Sequence, residues 1–174
     1  MPDWVENPTS EEVLDDGSWR DIVSDLSELG KGELLGELNR GGAFLDIGCG
    51  GGELVAYLRK RQGIRAFGID RELRVPIASQ KGPDGARWFF HGDARLRLPF
   101  DDGTIAMVYS RAIFDHYLFR DQEGIYLEVR RVLMTGGVYY VVDWDAPDFR
   151  TIEGFQVLPW KGQHPDYSVL EKVE

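Results

Sequence analysis

One cysteine and three histidines are all that 174 residues offer to thiol or imidazole chemistry. The lone Cys49 cannot form an internal disulfide, and His91, His116 and His164 are too scattered for a recognisable metal spacing, so no metal site is expected. No apolar run reaches the ~18 residues of a membrane span, and no charged leader precedes a secretory core. A cytoplasmic protein without membrane association is therefore expected. Basic side chains are also in deficit, 20 Lys and Arg against 30 Asp and Glu, giving a formal net charge of −10. Arg95 and Arg97 alternate with Leu96 and Leu98, and Arg130 and Arg131 fall on an expected helix, so neither pair extends into a stripe that could follow phosphates. The composition excludes nucleic acid as the expected partner and favours a small molecule, neutral or basic.

What is present is ordinary for a globular protein, 43% hydrophobic and 29% charged, with enough chain for one core and little for a separate substrate domain. Residues 1–17 are acidic and hold Pro2, Pro8 and Gly17, which predicts an irregular arm ahead of a single compact domain over 18–174.

The informative segment is Ala43–Glu53, Ala-Phe-Leu-Asp-Ile-Gly-Cys-Gly-Gly-Gly-Glu, answered by Phe67-Gly-Ile-Asp70. It reads as a buried strand, a glycine turn, a helix start, and a second strand ending in a carboxylate. Gly48, Gly50 and Gly52 let the backbone turn and approach a ligand, and Asp70 follows Gly48 at the spacing of one strand–helix–strand step. This arrangement suits an adenosine ribose. In the pattern G-x-G-x-x-G the third glycine falls at residue 53, which is Glu. A pyrophosphate at the first helix turn would face that carboxylate, whereas S-adenosylmethionine brings a sulfonium, an ammonium and one carboxylate. Asp46 and Glu53 suit the cationic ligand better, although Glu53 is equally acceptable as a solvent-facing first-turn residue. Cys49 reads as a small packing residue rather than a nucleophile.

The rest of the chain alternates helical and strand periods. Ser18 can cap a helix with Ile22, Leu26 and Leu29 on one face, and a short helix over 32–38 follows. These helices can lid the ligand opening or cover a hydrophobic flank. Strand 43–47, helix 52–62, strand 64–69, a helix near 72–79 and strand 86–91 come next. Strand 104–109, a helix around 121–133 and strand 138–143 complete the regular part, with Gly136-Gly137 ending the last helix. Two further strands are read at 155–160 and 167–172.

Phe44–Gly52 resembles the first motif of class I S-adenosylmethionine-dependent methyltransferases, especially the small-metabolite, type 11-like branch. His91-Gly-Asp-Ala94, Arg111-Ala-Ile-Phe-Asp-His116 and Arg130-Arg-Val-Leu-Met-Thr-Gly-Gly137 match later segments in order, so the resemblance spans residues 40–143. It implies an α/β fold: a doubly wound, Rossmann-like sheet of seven strands in the order 3-2-1-4-5-7-6, strand 7 antiparallel and helices on both faces. It implies that Asp46 positions the methionine end, that Gly48 and Gly50 leave room for it, and that Asp70 accepts both ribose hydroxyls. Asp93 would accept from the adenine amine beside Ala94. Cys49, Gly52, Arg71 and Arg111 complete the cofactor-binding set.

On the rim after the fourth strand, His116 is the candidate general base, with Asp115 to orient it. A purely structural role competes with that reading. Tyr109 and Tyr117 can wall the opening, and Asp143 and Asp145 beside Trp144 can hold an amine or hydroxyl. Arg111 can meet a methionyl or substrate carboxylate, or pair with Asp115 or Asp143. The leading function is methyl transfer from S-adenosylmethionine to an oxygen or nitrogen of a small metabolite. A non-catalytic methyltransferase-like accessory protein is the alternative, motivated by the short Trp144–Gly154 connection, and an NAD-dependent oxidoreductase ranks lower. A homodimer, or a protein partner completing the pocket, is compatible with the shortened tail.

Overall fold

The structure, a computed structural model, describes residues 18–76, 79–83, 85–114, 119–143, 152–159 and 167–173. Its elements are α1 (Ser18–Glu28), α2 (Gly32–Asn39), β1 (Ala43–Ile47), α3 (Glu53–Tyr57) running into a π turn (Leu58–Gln62), β2 (Arg65–Asp70), β3 (Phe89–His91) and β4 (Ile105–Arg111). Then follow α4 (Phe119–Val132), β5 (Leu133–Val142), β6 (Phe155–Val157) and β7 (Tyr167–Lys172). The strands form one seven-stranded sheet ordered β3-β2-β1-β4-β5-β7-β6. Strands β1 to β5 pair in parallel, and β7 runs antiparallel to both β5 and β6. The expected topology is present.

Alternation along the strands sorts the core into two layers. Phe44, Met107, Tyr109, Val138 and Tyr140 face α1, α2 and α3; Leu45, Ile47, Ile105, Val108, Tyr139 and Val141 face α4. On α1, Ile22 and Leu26 are buried at helical spacing, and Asp25 goes inward with them to accept from the Tyr140 hydroxyl on β5. Leu34 and Leu38 of α2 join the same layer. The two N-terminal helices thus cover a hydrophobic flank. Lys31, just before α2, pairs with Glu171 on β7.

Several local expectations give way to longer-range bonding. Ser18 is the first described residue of α1 and already helical, and its hydroxyl accepts from Arg111 Nη1 at 3.4 Å. No helix forms over the described residues 71–76: the Arg74 N–H, which would close a first turn onto the Asp70 carbonyl, donates to the Gly50 carbonyl, and the Asp70 carbonyl accepts from Gly92 N–H. Pro76 has no N–H to offer. The expected helix over 52–62 opens into the π turn, closed by Gly63 in the left-handed region. Strand β3 is shorter than expected because Trp88 and Phe89 donate to the Gln80 carbonyl. Helix α4 ends at Val132, and β5 begins at once; the Gly136-Gly137 pair lies inside a register shift between the pairs Ile105↔Leu133 and Met107↔Val138. Strand β6 stops at Val157.

Candidate active site

The order of the sheet reverses between β1 and β4, and ligands of such sheets gather beyond the strand ends at that point. The glycine loop after β1 is fastened there from several directions. Gly48 and Cys49 donate to the Ile69 carbonyl, Gly52 donates to Cys49, and Gly50 donates to Asp70 Oδ2 at 2.8 Å. The other oxygen of Asp70 accepts from Glu72 N–H at 2.6 Å. One carboxylate therefore joins the loop to the end of β2 while still lining the opening.

Two glycines are required by this path. Gly48 has φ +79°, and a Cβ there would lie 2.4 Å from Ile113 Cγ2. Gly52, also at φ +79°, caps α3, where a Cβ would lie 2.4 Å from the Phe89 ring and 2.8 Å from Val75.

Two adjoining cavities lie over this loop. The larger, about 310 Å³, is lined by Gly50, Asp70, Arg71 and Ala94 among others. That volume sits near the lower end of the ~300–1,000 Å³ typical of small-molecule sites. The smaller, about 220 Å³, is lined by Ser18, Asp46, Cys49, Glu53, Leu54 and Tyr109. Gly48, Arg111 and Ala112 border both. The structure thus brings together Asp46, Gly48, Cys49, Gly50, Asp70, Arg71, Ala94 and Arg111 from the expected cofactor set. Gly52 supports the loop from beneath. Asp93 lines neither cavity. Its carboxylate accepts from the backbone N–H, Nε and Nη2 of Arg95, and these bonds hold it ionised below the usual carboxylate range. Asp115, His116, Tyr117, Trp144 and Asp145 lie outside the described residues.

Asp143 is buried, and its Oδ2 accepts from Phe114 N–H at 2.7 Å. It ties the end of β5 to the turn after β4, which is neither a solvated position nor one facing the described cavities. Burial pushes the Cys49 thiol well up, reinforced by the nearby carboxylates of Asp46 and Asp70. Its sulfur would lie 2.7 Å from a Cβ at position 68, so Cys49 and Gly68 fit as a small pair.

Ala112 went unforeseen. It is the one non-glycine residue at positive φ (51°) among those described, and its N–H donates to the Val142 carbonyl. Such a conformation carries a cost that surrounding structure must hold in place. Alanine is no turn residue, so nothing in the sequence marks it. Ser18 and Arg74 also reach the cavities, brought there by the packing of α1 and by the Arg74–Gly50 hydrogen bond.

Residues 45–141 match the family described as "Methyltransferase domain". A sterol 24-C-methyltransferase of Gibberella zeae is 32% identical over 109 residues, covering 60% of this chain and 28% of that protein. A 2-methyl-6-phytyl-1,4-hydroquinone methyltransferase of Synechocystis is 31% identical over 119 residues, covering 68% and 37%. The chain thus spans about a third of the length of these curated relatives. Among solved structures, a TehB-like SAM-dependent methyltransferase from Corynebacterium glutamicum superposes with a TM-score of 0.60 at 19% identity, over 90% of this chain and 97% of that one, a likeness of fold.

Proposed function

The chain belongs to the methyltransferase domain family, and we propose from this that it transfers a methyl group from S-adenosylmethionine to an oxygen or nitrogen of a small metabolite. The observation that carries the reading is the pairing of the two cavities. The larger presents Asp70, whose oxygens each keep acceptor capacity for ribose hydroxyls after bonding Gly50 and Glu72. The smaller combines two carboxylates, Asp46 and Glu53, with the guanidinium of Arg111, the complement of an ammonium and a carboxylate on one amino-acid head. Gly50 supports the fit, since a Cβ there would meet nothing within 4 Å and the loop leaves open space above itself.

S-adenosylmethionine supplies the electrophilic methyl on a sulfonium centre. The chain's work is to bind, orient and dry. Asp46 and Glu53 favour positive charge in the smaller cavity, and Arg111 spans the junction. Ile47, Ile69 and Ile113 supply apolar wall around the nucleoside side. A pyrophosphate is poorly served, because Glu53 occupies the first turn of α3, which is only five residues long.

The sterol relative, a 24-C-methyltransferase, places its methyl on carbon. Methylating a carbon–carbon double bond leaves a carbocation that the site must stabilise, whereas an oxygen or nitrogen acceptor has only to lose a proton. The described residues that border both cavities are Gly48, Arg111 and Ala112, and an oxygen or nitrogen lone pair needs only alignment with the methyl there.

Calorimetric titration with S-adenosylhomocysteine and with NAD, followed by methyl-transfer assays over hydroxyl and amine metabolites, tests the reading. Saturable binding of the first and a product methyl on oxygen or nitrogen by NMR are expected. Preferential NAD binding, or folded protein that binds neither, refutes it.

A further inference from the structure

Six of the twenty lysines and arginines fall in two stretches that the fold brings to one edge of the sheet. Arg59, Lys60 and Arg61 lie in the π turn and Arg65 opens β2; Lys81 and Arg87 bridge each other just before β3. Over residues 58–67 and 79–91 the one acidic residue is Asp84, in a chain whose net charge is −10. Lys60, Arg65, Lys81 and Arg87 are exposed, and none of the ion pairs among described residues involves them.

The edge is built rather than merely solvated. Arg59 donates through Nε to the Ala66 carbonyl, and its guanidinium carbon lies 4.5 Å from the Trp88 ring centre and 4.9 Å from that of Phe67. Arg65 lies 5.3 Å from Phe67, and Arg87 5.9 Å from Phe90. A chain of this length carries roughly two such contacts; the four present among the described residues all fall on this edge. Contact with the rings restrains Arg65 and Arg87 while leaving their N–H edges available to carboxylates. The π turn beneath is a rare conformation that tends to mark functional segments.

We propose that this Arg59–Arg87 edge is a docking face for an acidic segment of a partner protein. Charge complementarity selects the occupant. A nucleic acid long enough to bind well extends beyond the ~8 Å Debye length and meets the acidic remainder of the chain, whereas a short acidic segment meets the edge alone. The ring faces are already taken by arginines, which leaves little aromatic surface for bases to stack on. Arg65 and Asp70 stand at opposite ends of β2, about 16 Å apart at strand rise. A partner held here leaves the cleft open, so the face tethers the protein without completing its active site.

The test is fluorescence anisotropy with a labelled oligoglutamate peptide and an oligouridylate of equal charge, at low and physiological salt. The wild-type chain is compared with Lys60→Glu/Arg65→Glu/Arg87→Glu and, as a control of equal charge change away from the edge, Arg20→Glu/Arg40→Glu/Arg97→Glu; circular dichroism confirms that each is folded. The peptide should bind the edge variant at least about tenfold more weakly than it binds wild type or the control variant. Equal peptide binding by all three, absence of binding to wild type at low salt, or tighter binding of the oligouridylate through the same residues overturns the proposal. Wild-type self-association that the edge variant abolishes, seen by sedimentation, also overturns it, by making a second copy the occupant.

Discussion

Replacing Asp70 separates two roles that the fold has given to one carboxylate. Its oxygens accept from Gly50 N–H at 2.8 Å and Glu72 N–H at 2.6 Å, and they also line the larger cavity. Hydrogen bonds to a charged group contribute ~1.5–3 kcal/mol each, but in Asp70→Ala water can reach both amides of this half-buried site. We expect a stability loss of about 1–3 kcal/mol in urea unfolding. Asp70→Asn should do no better, since its NH2 must face one of the two amide donors. Binding of S-adenosylhomocysteine to Asp70→Ala should weaken by about 3 kcal/mol, roughly a hundredfold, part of it from the loosened loop. A 2′,3′-dideoxy analogue isolates the ribose share: removing the hydroxyls should weaken binding to wild type and change little in Asp70→Ala. If the dideoxy penalty is undiminished in the variant, Asp70 is not the hydroxyl acceptor. A stability change below about 0.5 kcal/mol would remove the bracing role.

Gly52→Ala should cost about 2–4 kcal/mol, combining an unfavourable left-handed alanine with overlap against Phe89 and Val75; a loss below about 1 kcal/mol in urea unfolding would show that the neighbours yield. Glu128 accepts from Arg131 and from Leu98 N–H, which hold its carboxyl below its ordinary 4.5. The stability it contributes is therefore present above 4.5 and lost as pH falls through the lowered folded value, so Glu128→Gln should flatten the acid limb of a melting-temperature profile. An unchanged acid limb contradicts this. Native Cys49 should resist iodoacetamide at mildly alkaline pH and react after unfolding, because burial and adjacent carboxylates keep it a thiol; rapid native labelling would refute that environment.

Strands β1, β2 and β4 were legible because apolar runs bounded by glycine or acidic turns need only neighbouring residues to be recognised. The loop from Gly48 to Gly52 was legible for the same reason, whereas the sheet order followed from resemblance. Residues 71–76 misled because helical propensity cannot reveal that Gly50 holds the Arg74 amide and Gly92 the Asp70 carbonyl, the two partners of a first helical turn. The strained Ala112 gave no local signal, since its conformation is set by a bond to Val142. Asp93 was expected beside adenine from the resemblance, but its engagement of Arg95 depends on side-chain geometry that spacing alone does not fix.

Strand β7 lies between β5 and β6 in the sheet yet follows both in the chain. During synthesis, β6 has no hydrogen-bonding neighbour and the flank of β5 stays open until Tyr167–Lys172 have emerged from the ribosome. Completion of the sheet is thus a late event, dominated by sequence-distant pairing and slow by nature. A nascent chain stalled before Tyr167 would present the Val138–Val142 edge to its neighbours, a template for aggregation that the finished molecule conceals.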